Sequence, residues 1–138
     1  MNILFMCVAN SARSQLAEGL ARNMLPNAEV MSAGSKPGKL NPFAVAVMNE
    51  AGMDISKQFA KSFDQLPQSF VANLDFVITL CAEEVCPRID SKAKKLHWPL
   101  KDPASVEPIP EAESLKRFRE AKGQIEALLS QFKAEINR

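Results

Sequence analysis

Three groups of residues in this 138-residue chain have types and spacings that can do chemistry. The first is Cys7-Val8-Ala9-Asn10-Ser11-Ala12-Arg13-Ser14, a C-x5-R-S run. A loop of this length wound around an oxyanion offers several backbone N–H groups. A helix starting at its end adds a positive terminus, and Arg13 can clamp two oxygens. The same field stabilises a thiolate beneath the anion, and Ser14 can donate a further hydrogen bond to the sulfur. Cys7 then becomes a low-pKa nucleophile. Spacing alone leaves a second reading open, in which Cys7 is a small buried hydrophobe and Arg13 a surface cap.

The second group is Cys81-Ala82-Glu83-Glu84-Val85-Cys86. Thiols five positions apart reach disulfide distance if the segment bends or unwinds, which Pro87 favours; they also read as two buried core thiols. A metal site is poorly supported, with two thiols, one distant His97 and no C-x2-C spacing. The third group is His97-Trp98-Pro99-Leu100-Lys101-Asp102-Pro103-Ala104. Asp-Pro after a proline-flanked aromatic is ordinarily a turn. Its functional reading is a carboxyl on a loop lip, able to give a proton to a leaving oxygen. His97 reads as structural rather than as a base.

The elements that must position these groups follow from periodicity. Residues 2–6 form a short apolar run of the kind buried in a parallel sheet, and Leu16, Ala17, Leu20, Ala21 and Met24 then recur at helical spacing from Ser14 to about Leu25. Glu18 and Arg22 sit a turn apart on that helix's polar side. A second strand is expected over 28–33, closed by Gly34. A helix over 42–51 follows, with Asn41 as cap and Gly52 past its end. Residues 54–70 predict only short helical turns around Ser56 and Asp64. Strands are expected over 74–80 and 96–98. A final helix from about Ala112 carries the stripe Leu115, Phe118, Ile125, Leu128, Leu129, Phe132 and Ile136. This order predicts a single α/β domain over 1–138: an open, mostly parallel four-stranded sheet with helices on both faces. Ligand sites in such sheets lie beyond the carboxyl ends of the strands, where the Cys7 loop, Cys81 and Asp102 would converge.

Composition narrows the class of function. Lys plus Arg number 17 and Asp plus Glu 16, a formal charge of +1, which gives no basic field for nucleic acid. No stretch approaches ~20 apolar residues, so no membrane span is expected. The apolar start meets Asn10, Ser11 and Arg13 too soon for a signal peptide. Three cysteines, an odd number, point to a reducing, cytoplasmic compartment rather than a disulfide scaffold.

Together the motifs resemble the low-molecular-weight protein tyrosine phosphatase superfamily, and within it the thioredoxin-coupled arsenate reductases. The resemblance covers nearly the whole chain. CVANSARSQLAEG at 7–19 is similar to the family's anion loop and first helix, and Ser32-Ala33-Gly34 to its second strand end. VITLCAEEVC at 77–86 is similar to its redox segment, and HWPLKDPA at 97–104 to its acid loop. The chain departs from the family in carrying Ala9 for a usual Gly, Ala12 for a common second loop Cys, and a short gap between Cys81 and Cys86.

The resemblance implies that residues Val8, Ala9, Asn10, Ser11, Ala12, Arg13 and Ser14 bind arsenate, Cys7 attacks it and Asp102 protonates the departing hydroxyl. Cys81 would then attack Cys7 to release arsenite, and Cys86 would attack Cys81. The resulting outer disulfide would be resolved by thioredoxin. The segment from Cys81 to Cys86 would be partly helical when reduced and looped out when oxidised. No organic cofactor is implied, and the chain is expected to act as a monomer. Some relatives bind potassium through an Asn and a Glu, which match Asn10 and Glu18. The competing readings are a tyrosine phosphatase built on Cys7, Arg13 and Asp102, a reductase using a small thiol, and a non-catalytic arsenite-binding module. The absence of Tyr and the presence of Cys81 and Cys86 count against the phosphatase.

Overall fold

The computed structural model describes residues 1–82, 89 and 91–137. Four parallel strands, β1 (Asn2–Cys7), β2 (Glu29–Gly34), β3 (Phe76–Thr79) and β4 (Lys94–His97), lie in the order β2-β1-β3-β4. The four-strand parallel sheet expected from the sequence is therefore present. The chain first steps to one side of β1 and then to the other, so a topological switch falls between β1 and β3. In open α/β sheets the crevice at that point is where ligands bind.

Alternation along β1 builds two cores. Ile3 and Phe5 point to one face, where α1 (Arg13–Met24), α2 (Pro42–Glu50) and α4 (Glu111–Ile136) pack. Leu4 and Met6 point to the other, against Leu66, Phe70 and Val77. Among the described residues the helical part of that second layer is a 3-10 turn at Phe63–Gln65 followed by α3 (Gln68–Ala72). The 3-10 turn falls at Asp64, where a short helical turn is expected from the sequence; α3 is not expected. Four or five residues of helix carry too little periodicity to be read, and only Phe70 on α3 is fully buried.

The expected stripe on α4 is buried at Phe118, Ile125, Leu129 and Phe132, with Leu115, Leu128 and Ile136 packed along its edge. Phe132 meets Phe76 edge-on at 4.9 Å between ring centroids and Trp98 at 5.9 Å. These contacts clamp α4 over β3 and β4 and fix the chain that runs on from β4. Asn41 caps α2, its side chain accepting the Phe43 N–H at 2.8 Å, and Gly52 takes φ +79° beyond its end, both as read from sequence. No described helix is long and apolar enough to cross a membrane.

Candidate active site

Cys7 closes β1, and residues 8–12 carry the chain into α1 without an intervening side-chain cap or acidic first-turn residue. The loop's carbonyls face outward and each is occupied. Val8 accepts from the Lys36 N–H and Ala9 from Gly38, both at 2.9 Å. Ser11 accepts from Asn41 at 3.0 Å and Ala12 from Leu16 at 2.9 Å. Gln15 Nε2 donates to the Asn10 carbonyl at 2.9 Å. The N–H groups of residues 8–12 have no partner among the described residues. Carbonyls tied outward and amides left over are what an oxyanion cradle at a helix N-terminus requires.

The loop turns through Asn10, whose φ of +49° is the left-handed conformation that asparagine tolerates. Ala9, the departure from the family's glycine, needs no positive φ. A close approach elsewhere does require glycine. A Cβ on Gly34 would stand 2.4 Å from the Val8 carbonyl oxygen and 2.9 Å from the Asn10 nitrogen. In the sequence Gly34 marks only the end of a strand.

A directed hydrogen-bond chain reaches the sulfur. The Lys61 backbone N–H donates to Asn10 Oδ1 at 3.0 Å, which fixes the amide's orientation. Asn10 Nδ2 then donates to Ser14 Oγ at 2.7 Å, leaving the hydroxyl proton for Cys7 Sγ at 2.9 Å. Cys7, Asn10 and Ser14 are all buried, so a thiolate here is held by a donor that water does not replace.

Arg13 joins this loop to the other two motifs. Its Nη1 donates to the Leu100 carbonyl at 2.9 Å and to that of Leu80 at 3.4 Å. Its Nη2 stands 3.9 Å from Asp102 Oδ2. Leu80 immediately precedes Cys81, and its N–H donates to the Met6 carbonyl at 3.0 Å. Met6 pairs with Thr79 in the β1–β3 register, so Cys7 and Cys81 follow the ends of neighbouring strands, Cys81 one position further along than Cys7. Cys81 is buried and disulfide-bonded, whereas Cys7 is a free thiol. Cys86 lies outside the described residues, as does the expected conformational change of its segment. Asp102 sits on an exposed lip with its side chain half exposed, its Oδ1 accepting the Ala104 N–H at 3.0 Å. His97 is outside this group, its Nδ1 paired with Thr79 Oγ1 at 2.7 Å across the sheet. A cavity of about 640 Å³ flanks α1 near Lys61 and Phe59 and includes neither Cys7 nor Arg13.

Glu18, placed on the polar side of α1 by its spacing, is buried. Oε1 accepts the Ser32 hydroxyl at 2.7 Å and lies 3.6 Å from Lys61 Nζ, while Oε2 is 3.2 Å from Arg22. The potassium site expected at Asn10 and Glu18 does not fit these residues. Both Asn10 side-chain atoms are engaged, and the carboxylate is already met by two protein cations. Burial pushes the Lys61 ammonium down, opposed by Glu18. Lys61 was not singled out from sequence, since it acts on Asn10 across 51 positions, and Ser32 appears there only as part of a strand end.

A buried cysteine under a loop of unpaired amides, an arginine across the strand ends and a carboxylate on the lip have the arrangement that a thiol-based oxyanion site requires, on a phosphatase-like fold. The sequence matches the family described as low molecular weight phosphotyrosine protein phosphatase over residues 2–138, and the chain belongs to that family. An arsenate reductase of Shouchella clausii is 41% identical over 133 residues, covering 94% of this chain and 93% of the relative. A solved arsenate reductase in the phosphate binding state superposes with a TM-score of 0.77 at 30% identity, covering 99% of both chains. A thioredoxin-dependent arsenate reductase of Corynebacterium glutamicum gives a TM-score of 0.66 at 29% identity, covering 96% of this chain and 62% of that one.

Proposed function

We propose that the protein is an arsenate reductase that works through Cys7, Cys81 and Cys86 and is regenerated by thioredoxin. The observation that carries this reading is the bridge from Arg13 to the Leu80 carbonyl, which ties the oxyanion loop to the strand end bearing Cys81. A phosphatase needs one thiol at such a site; a buried second cysteine on the neighbouring strand end gives the first an exchange partner.

Arsenate binds on the amides of residues 8–12 and on Arg13. The Cys7 thiolate, held by Ser14, attacks arsenic while Asp102 protonates the departing hydroxyl, so water leaves and a sulfur–arsenic(V) bond forms. The Cys81 thiolate then attacks Cys7 Sγ. The sulfur–arsenic bond breaks with its electron pair on arsenic, which leaves as arsenite(III), and a Cys7–Cys81 disulfide forms. Two thiols have supplied the two electrons. Cys86 next attacks Cys81 and releases the Cys7 thiolate, and the dithiol of thioredoxin reduces the remaining disulfide.

The test is arsenate-dependent NADPH oxidation coupled through thioredoxin and thioredoxin reductase. The native chain should turn over. Cys86→Ser should lose multiple turnover while retaining slow hydrolysis of p-nitrophenyl phosphate. A native chain that hydrolyses the phosphate ester without reducing arsenate would replace this reading with a phosphatase.

A further inference from the structure

Beneath the oxyanion loop the protein carries a cation of its own. Glu18 faces Lys61 and Arg22, and the two differ in burial: the Lys61 side chain is 9% exposed and that of Arg22 53%. The Lys61 ammonium also lies 4.8 Å above the Phe59 ring and donates to the Phe59 carbonyl at 3.4 Å. The same residue's main chain grips the loop from two sides. Its N–H fixes Asn10 Oδ1, and its carbonyl accepts the Gly34 N–H at 2.9 Å. Ser62 beside it bridges Gly34 in parallel. The place where the sequence suggested a monovalent ion is therefore served by a side chain. Among the described residues no acidic, thiol or imidazole cluster stands ready for a metal.

We propose that Lys61 is a positioning residue for Cys7, its ammonium standing against Glu18 in place of a bound monovalent cation and so holding its own backbone N–H on Asn10. Asn10 aims Ser14, and Ser14 aims its proton at the sulfur. Lys61 thereby sets the fraction of Cys7 present as thiolate without touching substrate. An ion arriving at Glu18 would have to displace a tethered ammonium of equal charge, so the native protein is indifferent to potassium. The inference rests on Cys7 as the nucleophile, and its test needs neither arsenate nor thioredoxin.

The test is the pH dependence of Cys7 alkylation by iodoacetamide, in a Cys81→Ser/Cys86→Ser background where Cys7 is the sole thiol. Lys61→Met should shift the thiolate profile to higher pH and slow alkylation at neutral pH by roughly threefold to tenfold, the effect of one misaligned hydrogen bond. Lys61→Arg, which keeps the charge, should recover the native profile. Potassium chloride, compared with tetramethylammonium chloride at equal ionic strength, should speed the Met variant and leave the native side chain unaffected. If Lys61→Met fails to fold, Glu18→Gln/Lys61→Met removes both buried charges and should show the shifted profile with no potassium response. A native profile in the Met or double variant, an Arg variant as slow as Met, or potassium stimulation of native Lys61 would overturn the proposal.

Discussion

The two loops that meet at Arg13 are built on opposite principles. The loop from Cys7 to Ser14 is closed: every carbonyl from Val8 to Ala12 is tied down, Asn10 and Ser14 are wholly buried, and Gly34 lies against its backbone. The stretch after Leu100 is open. Asp102 is held by one turn contact and a 3.9 Å approach to Arg13, and Val106 is fully exposed. The contrast suits the roles proposed for them. An anion cradle works by dipoles fixed before the ligand arrives, because reorganising them during the reaction would forfeit their effect. A proton donor must reach a leaving oxygen and then exchange with water, which a lip permits and a sealed pocket does not.

Disturbing the closed loop should therefore remove everything at once. Gly34→Ala places a Cβ into the Val8 carbonyl, a backbone clash that no rotamer relieves, and should cost about 1–3 kcal/mol of stability. It should also abolish both arsenate reduction and phosphate-ester hydrolysis, read by thermal unfolding and the two assays. Native-like activity in a folded Gly34→Ala chain would show that the loop is not held from behind.

Disturbing the open loop should be selective. Asp102→Asn leaves the cradle intact, so phosphate should still protect Cys7 from alkylation. The chemical step should fall by about 10²-fold or more, the usual contribution of a general acid. Loss of phosphate protection in this variant would mean that Asp102 organises Arg13 rather than delivering a proton.

The smallest effect lies far from both loops. Arg119 donates to both oxygens of Glu50, at 2.9 and 2.6 Å, and this hydrogen bonding holds the Glu50 carboxyl below its usual range. A carboxyl lowered by folding stabilises the native state above its unfolded pKa and loses that contribution as pH falls through the folded value. Glu50→Gln should leave turnover unchanged and lower the unfolding temperature slightly at neutral pH. The gap should close on acidification, because the pair is exposed and screened. A change in turnover would be unexpected on this account.

How legible each part was in the sequence tracks the same division between local and distant causes. The C-x5-R-S run, the Asn41 cap and the α4 stripe are short-range patterns, and each appears where its spacing placed it. The meeting of the Cys7 loop, the Leu80 strand end and Asp102 at Arg13 could be read because all three segments follow strands of one parallel sheet. Lys61 could not be found this way. It meets Asn10 across 51 positions, and nothing local marks a lysine that will be buried. Glu18 was misplaced on the polar face because its spacing to Arg22 describes a surface pair. Its burial comes from Ser32 on β2, another element altogether.

The central claim is that Cys7 and Cys81 together supply the electrons that reduce arsenate. The most direct measurement is the arsenite released by fully reduced Cys86→Ser chain given excess arsenate and no thioredoxin, with the protein's disulfides mapped by mass spectrometry afterwards. The account expects one arsenite per chain and a disulfide joining Cys7 to Cys81. No arsenite, or one arsenite with Cys7 still free, would contradict it.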